Sequence, residues 1–307
     1  MVDVTVLTPS YNYGRFIEDA LLSVRCQRGL SLQHVIQDGG STDATLQTLT
    51  DYNNHIDWAS EPDGGQSDAL NRALSRATGR WIAWLNADEF YLPAGLAHLL
   101  EHGERSGADV VYGECVIVDE AGRVARLLPQ YRFTSRVLRN YGPCISSCSA
   151  IFRRSVLGQD PWDIALRRVM DWDLYLRLME RGANFLFVPF PVGAFRIHQD
   201  QVTAIPWQAW QQEDEFVAAR HGRPTDLAER WRSYKRARWL HRAHKVVGGS
   251  YLRERRARVF RDRDFRWFGS EAGYATAIEF LRHTYKRSLP DVGRSSQGHR
   301  KTPPSDD

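Results

Sequence analysis

The sequence predicts an α/β protein, a mostly parallel sheet flanked by helices and followed by a helical, basic C-terminal region. Three observations carry this. Over residues 3–113, short apolar runs alternate with stretches whose apolar residues recur at helical spacing, the pattern of parallel strands joined by crossover helices. Each of the first four runs ends in a polar loop, two of them glycine-rich, and in a parallel sheet such loops gather at the carboxyl edge, where ligands bind. Between Arg230 and Arg266 stand 14 Lys+Arg against 3 acidic residues. That is an excess of 11 in a chain of net charge +4, so the rest of the molecule carries −7.

The elements follow in order. Residues 3–8 (DVTVLT) alternate as a strand, and 14–26 (GRFIEDALLSVRC) read as a helix. Strands at 34–37, 56–59 and 80–85 (RWIAWL) are separated by helices at 42–52 and 66–77 (QSDALNRALSRA). A helix at 93–105 and a strand at 109–113 come next, then a hairpin over 115–127 turning at Glu120-Ala121-Gly122, and a sheet segment at 147–152. Met170-Asp171-Trp172-Asp173 opens a helical run whose Leu174, Leu176, Leu178 and Met179 can pack on the sheet. Trp207, Trp210 and Phe216 predict a packed helix at 206–220, and 230–266 reads as two amphipathic helices parted by Gly248-Gly249.

At 307 residues, 42% hydrophobic and 25% charged, the composition is that of a globular protein with one sizeable core and a smaller appendage. It excludes a fibre or a disordered chain. No apolar run reaches the about 18 residues of a membrane span, and the start lacks signal-peptide regions, so the expectation is a soluble cytoplasmic protein. Cys26, Cys115, Cys144 and Cys148 show neither metal-ligand spacing in pairs nor disulfide density. They are expected to be reduced, packed thiols.

The rim loops hold the chemistry. They are Thr8-Pro9-Ser10-Tyr11-Asn12, Asp38-Gly39-Gly40-Ser41-Thr42-Asp43, Glu61 to Asp68, and Asn86-Ala87-Asp88-Glu89. Singly, each has an ordinary reading as a turn or helix start. The fourth is different in kind: the apolar run AWL leads into adjacent carboxylates at Asp88 and Glu89, and a carboxylate leaving the core must reach water or a cation.

Taken together, VTVLTPSYN, QDGGSTDAT, EPDGGQSDALNRAL, WLNADEFYLP, MDWDLYLRL and FRIHQDQVT resemble the family 2 glycosyltransferases of the Rossmann-like GT-A fold. These enzymes move a sugar from a nucleotide diphosphate to an acceptor. The resemblance implies that Thr8, Pro9, Tyr11 and Asp38 hold the base. It places Asp63, Gly65, Gln66 and Asp68 along the nucleotide-sugar pocket. It implies that Asp88, the last position of the family's D-x-D motif, ligates Mg²⁺ or Mn²⁺, with His198 near the metal or diphosphate. Asn86 stands where the motif has its first acid. An amide can hydrogen-bond a ribose or a metal-bound water but brings no charge. Glu89 is open between metal ligand, water-mediated contact and helix-start residue. Asp171 matches the general base, with Asp173 structural or positioning.

The resemblance implies a GT-A catalytic domain over residues 1–205, with a nucleotide-sugar half at 1–113 and an acceptor half at 114–205. A helical C-terminal region at 206–289 and a disordered tail at 290–307 follow. The expected activity is inverting, divalent-metal-dependent transfer to a hydroxyl acceptor, a glycan, lipid-linked or small molecule, in cell-surface polysaccharide, glycolipid or other glycoconjugate synthesis. Segment 230–266 is a candidate contact with an anionic membrane, which would place the protein at the inner face. Packed helices with a solvated basic face are the other reading, and no nucleic-acid partner is expected. Two other readings stay open: a nucleotidyltransferase, and a catalytically silent nucleotide-sugar-binding protein at a membrane.

Overall fold

A computed structural model describes residues 1–199, 201, 208–224 and 226–285. Strand β1 (Val4–Ser10) pairs in parallel with β2 (Leu32–Asp38) and β4 (Trp81–Trp84), and β2 with β3 (Asp57–Ser60). Every residue of β1 and of β4 is buried, because helices cover both faces of a parallel sheet. The crossover helices are α1 (Ile17–Arg25), α2 (Thr45–Asp51) and α3 (Gln66–Ser75). Helix α1 buries Ile17, Ala20, Leu21 and Val24, and α3 buries Ala69, Leu70, Ala73 and Leu74, the i, i+3, i+4 stripes seen in the sequence. Four adjacent parallel strands therefore end on one edge, and their loops form a single rim.

Beyond β4 the sheet becomes mixed. The chain runs through β5 (Phe90–Tyr91), α4 (Gly95–Ser106), β6 (Val110–Val118), β7 (Val124–Leu128), α5 (Ser135–Tyr141), β8 (Ala150–Arg153), α6 (Arg154–Leu157), α7 (Met170–Glu180) and β9 (Phe185–Arg196). The order across the sheet is β3-β2-β1-β4-β8-β6-β9-β5, with β7 on β6. Strand β8 is antiparallel to both β4 and β6, and β9 is parallel to β6 and antiparallel to β5. The expected hairpin forms between β6 and β7, with Gly122 at φ +79° supplying the left-handed position of its turn.

The C-terminal helices are α8 (Gln208–Arg220), α9 (Leu227–Val247), α10 (Ser250–Ala257) and α11 (Glu271–Tyr285). Gly248 and Gly249 part α9 from α10 as expected, Gly249 at φ +67°. Phe260, Phe265, Trp267, Ala277 and Phe280 share one apolar cluster with Leu92, Val116 and Val192 of the sheet region. The Trp267 indole N–H donates to the Tyr91 carbonyl at 2.7 Å. One correction concerns α8: Phe216 is 48% exposed beneath the Arg220 guanidinium, while Val217 and Ala218 do the packing. Trp207 and the tail at 290–307 lie outside the described residues. Among the described residues no helix is long and apolar enough to cross a membrane. All four cysteines are free.

Part of the basic segment is bound into the core. Glu114 of β6 is fully buried and meets Arg253 at 2.7 Å, with the Tyr285 hydroxyl as a further donor. Removing one partner of a buried pair strands the other charge, so Arg253→Met is expected to destabilise the fold by about 3–5 kcal/mol. A denaturant midpoint unchanged from wild type would contradict that.

Candidate functional site

The first two rim loops are laced together. Asn12, at φ +58°, receives the Thr42 N–H on its Oδ1 at 2.8 Å and donates its own N–H to Ser41 Oγ at 2.7 Å. The Gly14 N–H reaches Asp43 Oδ2 at 2.9 Å. A Cβ on Gly14 would lie 2.8 Å from the Thr45 nitrogen, so this close approach requires glycine. Asp38 is fully buried: its Oδ2 accepts from the Gly40 and Ser41 amides and the Ser60 hydroxyl, and its Oδ1 from the Ser41 hydroxyl. With four donors already satisfied, Asp38 shapes the loop floor, and a base contact would have to displace one of them.

Thr8 is fully buried. Its hydroxyl is turned into the sheet against His34 Nε2 at 2.9 Å, and burial holds His34 neutral, with a pKa lowered to about 3. Pro9 is buried as well, whereas Tyr11 is 59% exposed. Of the four residues expected around the base, only Tyr11 presents an exposed side chain.

The third loop supplies a carboxylate. Asp63 Oδ1 accepts from the Gly65 amide at 2.8 Å, and Asp63 Oδ2 lies 3.0 Å from where a Cβ on Gly39 would stand. Asp63 therefore faces the gap between the loops after β2 and β3. Burial raises its pKa above the ordinary value. Gly65, at φ +103°, has the Arg167 guanidinium 2.9 Å from its Cβ position. Asp68 accepts from the Gly64 amide, which lowers its pKa, and pairs with Arg72 at 2.8 Å.

Gln66 Nε2 and Trp84 Nε1 both donate to Asn86 Oδ1, at 2.6 and 2.7 Å. That oxygen has two lone pairs and two donors. Asn86 thus braces the end of β4, and ligation of a cation through Oδ1 would break this brace.

Asp88 follows, 8% exposed, with Oδ2 3.0 Å from His198 Nε2. His198 is packed against the Phe16 and Tyr13 rings at 4.7 and 6.0 Å. The residue holding this corner is Arg196, which local sequence pattern does not reveal. It is 2% exposed; its Nε donates to the Asp88 carbonyl at 2.9 Å, Nη1 to the Glu120 carbonyl at 2.6 Å and Nη2 to Asp19 Oδ2 at 2.5 Å. Glu89 points the other way. It is 1% exposed, accepts from the Asn86 amide, and burial followed by the Asp88 charge raises its pKa well above the ordinary range. It lies beneath the rim.

The segment ahead of α7 is pinned to α3. Ser67 Oγ donates to the Leu166 carbonyl at 2.8 Å, and Asn71 exchanges two hydrogen bonds with the Trp162 backbone. Glu213 of α8 accepts the Arg167 and Arg168 amides at 3.1 and 2.8 Å, donors just ahead of α7 that need partners. Asp171, in the first turn, receives the Trp172 amide on Oδ1, and burial raises its carboxyl to about 6. Asp173 is fully buried among Arg177, Arg220 and His221. Burial pushes its pKa up, but bonds from His221 and Arg177 outweigh that and leave it below the ordinary value. Burial, then the Asp171 charge, raises the Tyr175 hydroxyl.

Residues 5–159 match the family model described as Glycosyl transferase family 2. TuaG of Bacillus subtilis, named for teichuronic acid biosynthesis, is 27% identical over 214 residues, covering 67% of this chain and 83% of that protein. S. aureus TarS 1–349 in complex with UDP-GlcNAc superposes with a TM-score of 0.60 at 16% identity, over 93% of this chain and 91% of that one. The mannosyltransferase PcManGT from Pyrobaculum calidifontis, in complex with GDP-Man and Mn²⁺, does so at 0.55 and 18% identity, over 93% and 88%. The nucleotidyltransferase and silent-binding readings give way to glycosyl transfer. Because the family model spans the strands and loops that build this rim, the chain belongs to glycosyl transferase family 2, a glycosyltransferase of the GT-A fold.

Proposed function

We propose that this enzyme transfers a sugar from a nucleotide-diphosphate donor to a hydroxyl acceptor with inversion and with help from Mg²⁺ or Mn²⁺. The acceptor is placed in cell-surface polysaccharide or glycolipid synthesis, a reading the likeness to TuaG supports. The observation that carries the proposal is the pairing of Asp88 with His198 on the donor rim, with Asp171 at the start of α7, just after a segment tied to that rim.

The Asp88–His198 pair fits a divalent ion. Its 3.0 Å separation is about that of neighbouring ligands on an octahedral ion with bonds of about 2.1 Å. Asp88 and His198 would hold the ion from the protein side, the carboxylate being the ligand type that Mg²⁺ or Mn²⁺ prefers. When bound, the ion stabilises charge on the departing diphosphate. Arg196 fixes the Asp88 backbone, and Asn86 with Gln66 fixes the turn before it. Tyr11 and Asp63 hold the nucleoside, the first by its exposed ring. Arg167 adds a cation beside Gly65. Asp171 takes the acceptor proton as the acceptor oxygen attacks the anomeric carbon and the bond to the diphosphate breaks.

Two expectations follow from particular side chains. Arg167→Ala should weaken donor binding about 10–100-fold, the worth of one hydrogen bond to a charged group, with the melting temperature unchanged; unaltered donor affinity in calorimetry would remove Arg167 from the site. Asp171 must be ionised to act, and its pKa near 6 predicts that kcat/KM falls about tenfold per pH unit below about pH 6. A profile flat to pH 4.5 would contradict the assignment.

The reading as a whole is tested by a panel of UDP-, GDP-, CMP- and dTDP-sugars, scored for thermal stabilisation with and without Mg²⁺ or Mn²⁺. One donor is expected to stabilise the protein in a divalent-dependent way. No stabilisation by any donor with either ion would contradict the proposal.

A further inference from the structure

We propose that the outward face of α9 docks on an anionic lipid surface. At about 100° per residue, Trp231, Lys235, Arg238, Trp239, Arg242 and Val246 fall within one arc of about 100°. All six are exposed, Trp231 at 55% and Trp239 at 68%. The arc holds three cations and no acid. The stripe runs over about 22 Å of helix.

The opposite stripe holds α9 in place. Ala237 is fully buried, Tyr234 stacks on Tyr141 at 5.6 Å, His241 Nδ1 meets the Tyr131 hydroxyl at 2.8 Å and His244 Nε2 meets the Thr134 hydroxyl at 3.1 Å. The helix is thus anchored on one side and presents two tryptophans on the other. Much of the basic segment is excluded from docking: Arg253 serves Glu114, Arg263 pairs with Glu279, Arg266 pairs with Asp264, and Phe260 is buried.

Charge complementarity and the apolar residues together select the occupant. A solvated basic face needs no tryptophan, whereas at a bilayer surface indoles sit at headgroup level and Lys and Arg meet anionic headgroups. Trp and Arg also suit single-stranded nucleic acid, where the rings stack on bases. Val246 on this face is 65% exposed, however, and exposed apolar side chains follow it along the chain at Val247, Tyr251 and Leu252, at 88%, 47% and 51%. Aliphatic side chains gain from the acyl boundary rather than from stacking. This inference concerns a surface and does not depend on the transfer chemistry.

The test is cosedimentation of the full chain with phosphatidylcholine vesicles and with vesicles containing about 30% phosphatidylglycerol. Binding is expected to the second kind only and to fade with rising salt. Arg238→Gln with Arg242→Gln should weaken it roughly 20–30-fold, and Trp231→Ala with Trp239→Ala should weaken it at unchanged melting temperature. Arg263→Gln, off this face, should bind as wild type. The proposal is overturned if the full chain ignores anionic vesicles, or if the α9 variants bind as well as wild type. It is equally overturned if the tryptophan variant changes only the mass in sedimentation velocity, which would make the face a contact between copies, or if a single-stranded oligonucleotide competes all vesicle binding away.

Discussion

Asp171→Asn is expected to lower turnover by about 10²–10⁴-fold, the usual worth of a general base, with donor affinity nearly unchanged. The amide keeps the size of the carboxyl and its bond from the Trp172 amide but cannot take the acceptor proton. Stability should move the other way. Burial raises the folded pKa of Asp171 above the unfolded value, so its favourable contribution is complete below the unfolded pKa and is lost as pH rises through about 6. At neutral pH the native state holds a partly desolvated charge that asparagine removes, so the variant should be as stable as wild type or more so, by at most about 1–3 kcal/mol. An inactive but more stable enzyme separates a lost base from a damaged fold. Asp173→Asn should show the reverse, because its carboxylate joins Arg177, Arg220 and His221; there a lowered melting temperature is the main expected effect.

Asp88→Asn is the second large effect. The loop is braced from behind by Arg196 through the Asp88 carbonyl, which the substitution keeps, so the fold should survive. Losing the carboxylate paired with His198 should remove most divalent-dependent donor binding and reduce turnover by about 10³-fold or more, several kcal/mol of transition-state stabilisation. Calorimetric titration of the donor with and without Mn²⁺ checks this. Full activity with an unchanged divalent requirement would mean that Asp88 is not the ligand.

The parallel half of the fold was legible because β1 to β4 and the helices between them have local signatures: alternation, helical stripes, and polar loops at the strand ends. Strand β9 had none. Its run FLFVPFPVGAFR carries two prolines and a glycine, which argue against a strand; the register shifts opposite Glu114 absorb the irregularity. Strand β5 is two residues long and too short for any periodicity. In the site, residue types were readable and orientations were not. Thr8 and Asp38 stand where the motif puts them, yet one turns into the sheet toward His34 and the other is consumed by its own loop. Arg196 and Glu213 act on residues far away in the sequence, at Asp88 and at the start of α7, so only the tertiary structure reveals them.

Single-displacement glycosyl transfer at this rim can be tested with a donor alone. The nucleotide sugar that stabilises the protein in a divalent-dependent way would be incubated with enzyme and water as the acceptor, and the first-formed free sugar followed by proton NMR before mutarotation. Single displacement gives an anomeric signal inverted relative to the donor, absent with Asp171→Asn; a first-formed sugar of retained configuration would rule it out.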